Sequence, residues 1–296
     1  MRTALKFSIT SLLVATTVAA TALAASQVTR VQIRYEPPKD PVHSQIYEEL
    51  ARRRSLERLQ EFLSPFLLPR TLTIMLTGCD GEADAFYGDE EITICYEYVD
   101  ELWKNMPAET TPGGVAPMDT VYGPLFDTTL HEFAHALFDI LNLPVLGREE
   151  DAADQVAAYI YLQLGPAESR RLITGTAYAY AAEALKGEMP SSLEEAIEAT
   201  RAERPSSLEE FSGEHGTPAQ RAYNVMCMAY GANRKLFGDF AEKGYLPGER
   251  AEFCHEEYEQ IQHAFQVLVN PHIDQDLARE IFDRTWLGEP LRERPR

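Results

Sequence analysis

Two histidines, His131 and His135, lie four residues apart in a stretch whose apolar residues recur with the period of an α-helix. A helix places such residues on one face, one turn from each other. Both imidazoles can therefore reach a single Zn²⁺ ion at about 2.0–2.1 Å. Glu132 flanks them, and its carboxylate can take a proton from a metal-activated water molecule. The spacing thus predicts a metal-binding helix with Glu132 as the catalytic base.

A catalytic zinc site needs a third protein ligand and one open position. One known arrangement requires Gly at position 138 and His at position 141, but this chain has Phe138 and Leu141, which exclude it. The other takes a glutamate from a following helix, and the segment 150–154 has the required Glu-x-x-x-Asp spacing. We therefore predict Glu150 as the third ligand. Asp154, one turn later, is predicted to accept the remaining ring N–H of one histidine.

The linker 142–147 is only long enough to reverse the chain, so the Glu150 helix should pack antiparallel against the first helix. A different explanation exists for the acids at 149–151, because the helix macrodipole favours an acidic first turn. That explanation accounts for their charge but not for the joint spacing with the histidines.

The periodicity of the remaining chain predicts an α+β fold. Helices are predicted near 41–63, 148–164, 166–186, 192–203, 217–237 and 248–268. Strands are predicted at 71–76, 85–87 and 91–96 and should form a small antiparallel sheet. The Pro- and Gly-rich segment 106–124 is predicted to be a loop over the site, and Asp127 or Thr128 to cap the metal-binding helix.

The first 25 residues have the pattern of a Sec-type signal peptide, with Arg2 and Lys6 before an apolar run and Ala22-Leu23-Ala24 at the cleavage site. An uncleaved anchor is the alternative, although the run is marginal in length for a membrane span. We expect an exported protein, periplasmic or secreted, without a stable membrane span after cleavage. Residues 26–296 are predicted to form one domain, with an α/β lobe (26–126), a helix pair (127–165) and a helical lobe (166–296).

All four cysteines follow the predicted leader, so an oxidising compartment would let them pair. Four cysteines allow three connectivities. We favour Cys79 with Cys95, which flank a predicted hairpin, and Cys227 with Cys254, which join two predicted helices. Each of these bonds would close a short loop. The chain has no Cys-x-x-Cys motif, so neither pair is typical of a metal knuckle.

A formal net charge of −20 argues against nucleic acid as a partner. The acids are scattered over helical stretches such as 194–195 and 256–257, which is typical of a solvated surface. Nothing in the pattern indicates an oligomeric state.

Several segments together resemble an exported bacterial family known only as putative metallopeptidases. They are the segments 85–87, 94–97, 131–135 and 147–155. The likeness extends from about Val31 to Pro271 and includes both cysteine pairs. It implies a zincin-like fold of the gluzincin type, one Zn²⁺ per chain, and a peptide or protein substrate.

A peptidase also needs a group that stabilises the oxyanion, usually a histidine or a tyrosine. The segment 214–224 also resembles the family, and it makes His215 our first candidate and Tyr223 our second. A loop histidine at the surface and a tyrosine of the core are the alternatives. An edge strand near 85–87 or 92–95 could hold an extended peptide by β-addition.

The sequence therefore predicts a zinc-dependent metallopeptidase. A catalytically silent relative that acts as a binding protein in the cell envelope is one alternative. A zinc amidase that acts on cell-wall peptides is another.

Overall fold

The computed structural model describes residues 30–111, 114–183, 192–202 and 212–287. The predicted signal peptide and the end of the predicted helix 166–186 lie outside the described residues. Within these ranges a small sheet and a larger set of helices form an α+β fold with a helical C-terminal region, which confirms the predicted fold class.

The sheet has four strands in the order β1-β2-β4-β3. Their bounds are Val31–Tyr35 (β1), Leu72–Thr77 (β2), Ala85–Gly88 (β3) and Glu91–Cys95 (β4). β1 pairs in parallel with β2 and β2 in parallel with β4, whereas β3 pairs antiparallel with β4. The predicted antiparallel sheet was therefore wrong. β4 lies between β2 and β3 instead of outside β3. Four of its five residues are buried, and a central strand is the one that other elements can cover on both faces while its neighbours pair both its edges.

Two helices replace the single one predicted over 41–63. After a 3₁₀ turn at Pro41–His43 come α1, Ser44–Arg52, and α2, Ser55–Phe62. Arg54, between them, has a φ of 55°, in the left-handed region that an α-helix cannot contain. A further helix, α3, Tyr96–Lys104, follows β4 directly and was not predicted.

The metal-binding helix is longer than the sequence indicated. α4 runs over 22 residues from Asp119 to Ile140, with Pro124 inside it. The prediction that Asp127 or Thr128 caps this helix was wrong, and the predicted loop at 106–124 ends at residue 118. Pro124 removes one helical hydrogen bond, but the first turns of α4 are buried, so packing against neighbouring helices holds them.

Helices make up the rest of the described chain, as predicted. They are α5 (Glu149–Tyr161), α6 (Pro166–Glu183), α7 (Leu193–Ala202), α8 (Pro218–Ala232), α9 (Cys254–Leu268) and α10 (Gln275–Phe282), with short helical turns at Arg234–Phe237, Asp239–Glu242 and Gly248–Ala251. α4 packs mainly against α5 and α6, and α6 packs in turn against α8. Among the described residues, no helix combines the length and the apolar character that a membrane span requires.

Both favoured disulfides are present. Cys79 bonds to Cys95 at the end of β4, and Cys227 on α8 bonds to Cys254 on α9. Their partners are 16 and 27 residues apart, loop lengths at which a disulfide stabilises a fold by about 3–4 kcal/mol.

Glycines allow α4 and α6 to approach closely. A Cβ atom on Gly175 would lie 1.9 Å from the carbonyl oxygen of Asp119, and one on Gly123 would lie 2.7 Å from the backbone nitrogen of Thr176. Neither backbone can yield without moving a helix. The position of α4, and therefore of its histidines, depends on this contact.

We expect Gly175→Ala to lower the free energy of unfolding by about 3 kcal/mol, because the added methyl group overlaps the backbone of α4. Urea unfolding followed by circular dichroism measures this change. Gly248→Ala is the matched control, since a Cβ atom there meets nothing within 4 Å. Equal stability of the two variants would contradict the close-packing interpretation.

Candidate metal centre

α4 and α5 pack against each other and run in opposite directions. His131 contacts Asp154, whereas His135, one turn later on α4, contacts Glu149, which precedes Asp154 on α5. The connection reverses through Asn142, with a φ of 51°, and Gly147, with a φ of 100°. The predicted antiparallel packing of the two helices is therefore present.

Three potential ligand atoms converge between these helices. The Nε2 atoms of His131 and His135 lie 3.2 Å apart, and Oε2 of Glu150 lies 3.0 Å from the first and 3.3 Å from the second. Three atoms that ligate one Zn²⁺ ion tetrahedrally at about 2.0–2.1 Å are about 3.4 Å apart. The spacing and the chemistry of this donor set therefore fit a metal ion.

One other group of potential ligands occurs in the part of the chain that the structure describes. It consists of Cys79, Cys95 and Glu97. Both sulfur atoms there belong to a disulfide. They are therefore not available as thiolate ligands.

Carboxylates orient both rings. The distance from His131 Nδ1 to Asp154 Oδ1 is 2.7 Å, and that from His135 Nδ1 to Glu149 Oε1 is 2.8 Å. A ring that donates its Nδ1–H in this way directs the Nε2 lone pair towards the common point. Asp154 was predicted for this contact, whereas Glu149 was not, because its charge had an adequate explanation in the helix macrodipole.

A buried polar network holds Asp154 from behind. Arg221 on α8 donates two hydrogen bonds to its carboxylate, at 2.6 and 2.8 Å, and its guanidinium lies 4.4 Å from the ring centre of Tyr180. Tyr180 and Tyr161 both donate to Asp127, at 2.6 and 2.9 Å. Asp127 is thus a buried acceptor inside α4 and not a helix cap. This network links the orientation of the metal-binding helices to the helical lobe.

The pKa values follow from these contacts. Burial of His131 favours the neutral ring, but hydrogen bonds to Asp154 and Glu150 outweigh this and raise its pKa to about 9. The hydrogen bond from His131 lowers the pKa of Glu150 to about 2, against the effect of burial. Burial also opposes ionisation of Asp154, but His131 and Arg221 lower its pKa to about 2. Both carboxylates are therefore charged at neutral pH.

Glu132 lies in the wall of the same cavity and is only 8% exposed. Burial raises its pKa, while the neighbouring rings of His131 and His135 and the backbone N–H of Tyr87 oppose the rise. Its carboxyl group is therefore poised to exchange a proton more readily than that of an exposed glutamate.

His215 reaches the metal centre from a separate segment. Its Nε2 lies 2.8 Å from Glu150 Oε2, and its ring stacks on His131 with 5.6 Å between ring centres. Arg148, just before α5, fixes this segment because its guanidinium donates to the carbonyl oxygens of Gly213, Glu214 and His215. Burial lowers the pKa of His215.

Tyr223, the second candidate for the oxyanion, has a different position. It is half-buried and packs against the hydrophobic core. It is not one of the residues that line the cavity around the two α4 histidines.

The cavity around these residues has a volume of about 880 Å³. β3 forms one wall and the start of α5 another, with Phe86 half-exposed on β3. Of the predicted loop 106–124, none of the described residues that precede α4 lines this cavity.

A family model described as "Putative metallopeptidase" matches residues 35–269. The chain belongs to this family. Neither a curated protein nor a solved structure matches this chain. Membership of this metallopeptidase family implies a metal ion, and the His131, His135 and Glu150 group is where the structure can hold one.

We expect Glu150→Ala to abolish binding of one equivalent of Zn²⁺, because it removes one of three converging ligands. Metal analysis after gel filtration measures the occupancy. Asp151→Asn is the matched control, since this half-exposed acid lies one residue further along α5, forms an ion pair with Arg148 at 4.0 Å and does not line the metal cavity. Full zinc occupancy in Glu150→Ala would show that a different residue is the third ligand.

Zinc affinity should rise with pH. Below its pKa of about 9, His131 carries a proton that the metal must displace, so affinity should increase about tenfold per pH unit between about pH 6 and pH 8. Competition with a chelator at several pH values measures this slope. Calorimetry in buffers of different ionisation enthalpy counts the released protons. An affinity that is independent of pH over this range would contradict the raised pKa.

Proposed function

We propose that this chain is a zinc-dependent metallopeptidase of the gluzincin type, with His131, His135 and Glu150 as ligands of one Zn²⁺ ion. The observation that carries the proposal is the convergence of two imidazole nitrogens and one carboxylate oxygen within 3.3 Å, in a cavity that Glu132 also lines. Family membership supports the same class of enzyme.

A bound Zn²⁺ ion would lower the pKa of a water molecule to about 7 and polarise the carbonyl group of the scissile bond. Glu132 accepts a proton from the attacking water and then delivers it to the leaving amine. A raised carboxyl pKa suits both steps, because the same group must bind and release a proton near neutral pH.

His215 is the group that we assign to the oxyanion. Its Nε2 atom lies beside Glu150 and its ring is half-exposed to the cavity, so it can donate a hydrogen bond to a substrate oxygen. One guanidinium nitrogen of Arg148 donates to the carbonyl groups of residues 213–215 and so holds the backbone that carries this ring. Tyr223 has no comparable position.

We assign β3 as the strand that binds the backbone of a peptide substrate. It is one of the two edge strands of the sheet, and it lines the cavity, so an extended peptide can add to the side that does not pair with β4. β4, the other strand considered, is central and has both sides paired.

Two disulfides fit an oxidising compartment. We propose that the protein is exported, either to the periplasm or out of the cell.

We expect Glu132→Gln to lower kcat by a factor of at least about 10², because the amide cannot accept the proton, while zinc stays at one equivalent. A broad library of quenched fluorescent peptides and metal analysis of the same sample provide the two readouts. Asp151→Asn should keep both.

Wild-type protein with one equivalent of zinc and no turnover would favour the catalytically silent alternative. Full activity in Glu132→Gln would show that another group is the base.

A further inference from the structure

A second, larger cavity of about 1170 Å³ adjoins the cavity of the metal centre. The two share five lining residues, Ala83, Tyr98, Thr128, Tyr180 and Glu183. The two cavities therefore lie side by side, and the inference below requires that a ligand longer than a few residues passes these five residues from one cavity to the other.

The second cavity lies where the parallel strands end. Four residues at these strand ends line it. Glu36 follows β1, Thr77 ends β2 and Gly78 follows it, and Glu97 lies in the first turn of α3, directly after β4. In open α/β sheets, ligands bind outside the carboxyl ends of the parallel strands, and the second cavity occupies the corresponding edge of this sheet. β3 begins at Ala85, next to the junction, and so connects this edge to the metal centre.

The walls of the second cavity carry an excess of negative charge. Seven of its 26 lining residues are acidic, compared with 47 of the 296 residues of the chain, so the excess is larger than the general acidity of the protein explains. Two lysines line it. Lys104 is paired with Asp100 and Arg34 with Glu36, so these two acids are partly neutralised and the excess of negative charge depends on the other five. Hydrogen bonds from the backbone N–H groups of Cys79 and Gly81 hold Glu97 in its charged form, against the effect of burial.

Charge of one sign inside a cleft acts more strongly than on an open surface, because the low-dielectric walls focus the field. A lysine or arginine side chain would be attracted into this cavity, and a carboxylate would be repelled.

We propose that the substrate is an extended, positively charged polypeptide segment, with the scissile bond at the metal centre and lysine or arginine side chains in the second cavity. This inference rests on the proposed function for the position of the scissile bond. The selection for charge rests on the cavity alone and can be tested by binding.

The test uses zinc-loaded full-length Glu132→Gln protein and labelled peptides of about eight residues, which extend to about 28 Å. Paired peptides differ only in carrying three lysines or three glutamates on one side of the central bond, and both sides are tried. We expect at least one lysine peptide to bind at least tenfold more tightly than its glutamate partner at about 0.01 M salt. The difference should shrink at about 1 M salt, where the Debye length falls to about 3 Å.

Two double variants with the same change in charge test whether the preference for lysine peptides comes from the second cavity. Asp80→Asn/Glu101→Gln removes two charges from its wall, and Asn tolerates the φ of 53° at position 80. Glu256→Gln/Asp276→Asn removes two exposed charges from α9 and α10, outside both cavities. We expect the preference for lysine to fall to less than about threefold in the first variant and to persist in the second.

Equal affinity for lysine and glutamate peptides, or an equal loss in both double variants, would overturn the inference. Wild-type protein is assayed with the same peptides for cleavage. Preferential binding of the lysine peptide without cleavage would support the inferred charge selection by the second cavity and count against the proposed function. Cleavage without any preference for charge would support the proposed function and overturn the inferred charge selection by the second cavity.

Discussion

The candidate site depends on the antiparallel contact between α4 and α5, which brings two imidazole nitrogens and one carboxylate oxygen within 3.3 Å of each other. Atoms that all offer lone pairs approach this closely only around a proton or a cation. Each ring is turned to this point by a carboxylate on its other nitrogen. Contacts from neighbouring helices hold α4 and α5 against each other at this distance.

Two features outside the helix pair provide that support. The close glycine contact fixes α4 against α6, and Arg221 on α8 fixes Asp154 on α5. Arg221 also neutralises part of the negative charge that Asp154 brings to a buried position, where an unpaired carboxylate would be costly. The helical lobe is thus part of the site, since it supplies Arg221, which holds Asp154 and through it orients His131.

The order of the strands decides which strand borders the metal cavity. Because β4 is inserted in the sheet, β3 is left at its edge, beside α4 and in the wall of the metal cavity. The same arrangement directs the carboxyl ends of β1, β2 and β4 towards the second, acidic cavity. One topological feature therefore places both an edge strand and an acidic cavity beside the metal centre, and the proposed binding of a polypeptide depends on both.

The sequence by itself determined the features that depend on local periodicity. His131, His135, Glu150 and Asp154 could be proposed from the sequence because residues four apart on a helix share a face, and Glu132 could be proposed because it adjoins His131. The mixed sheet could not be predicted, since strand order depends on which strand is buried on both faces. The roles of Asp127 and Arg221 were also missed: Arg221 meets Asp154 across 67 residues of chain, and no local pattern records such a contact. Only the tertiary structure decided these contacts and the cavities, because they arise where elements distant in sequence pack together.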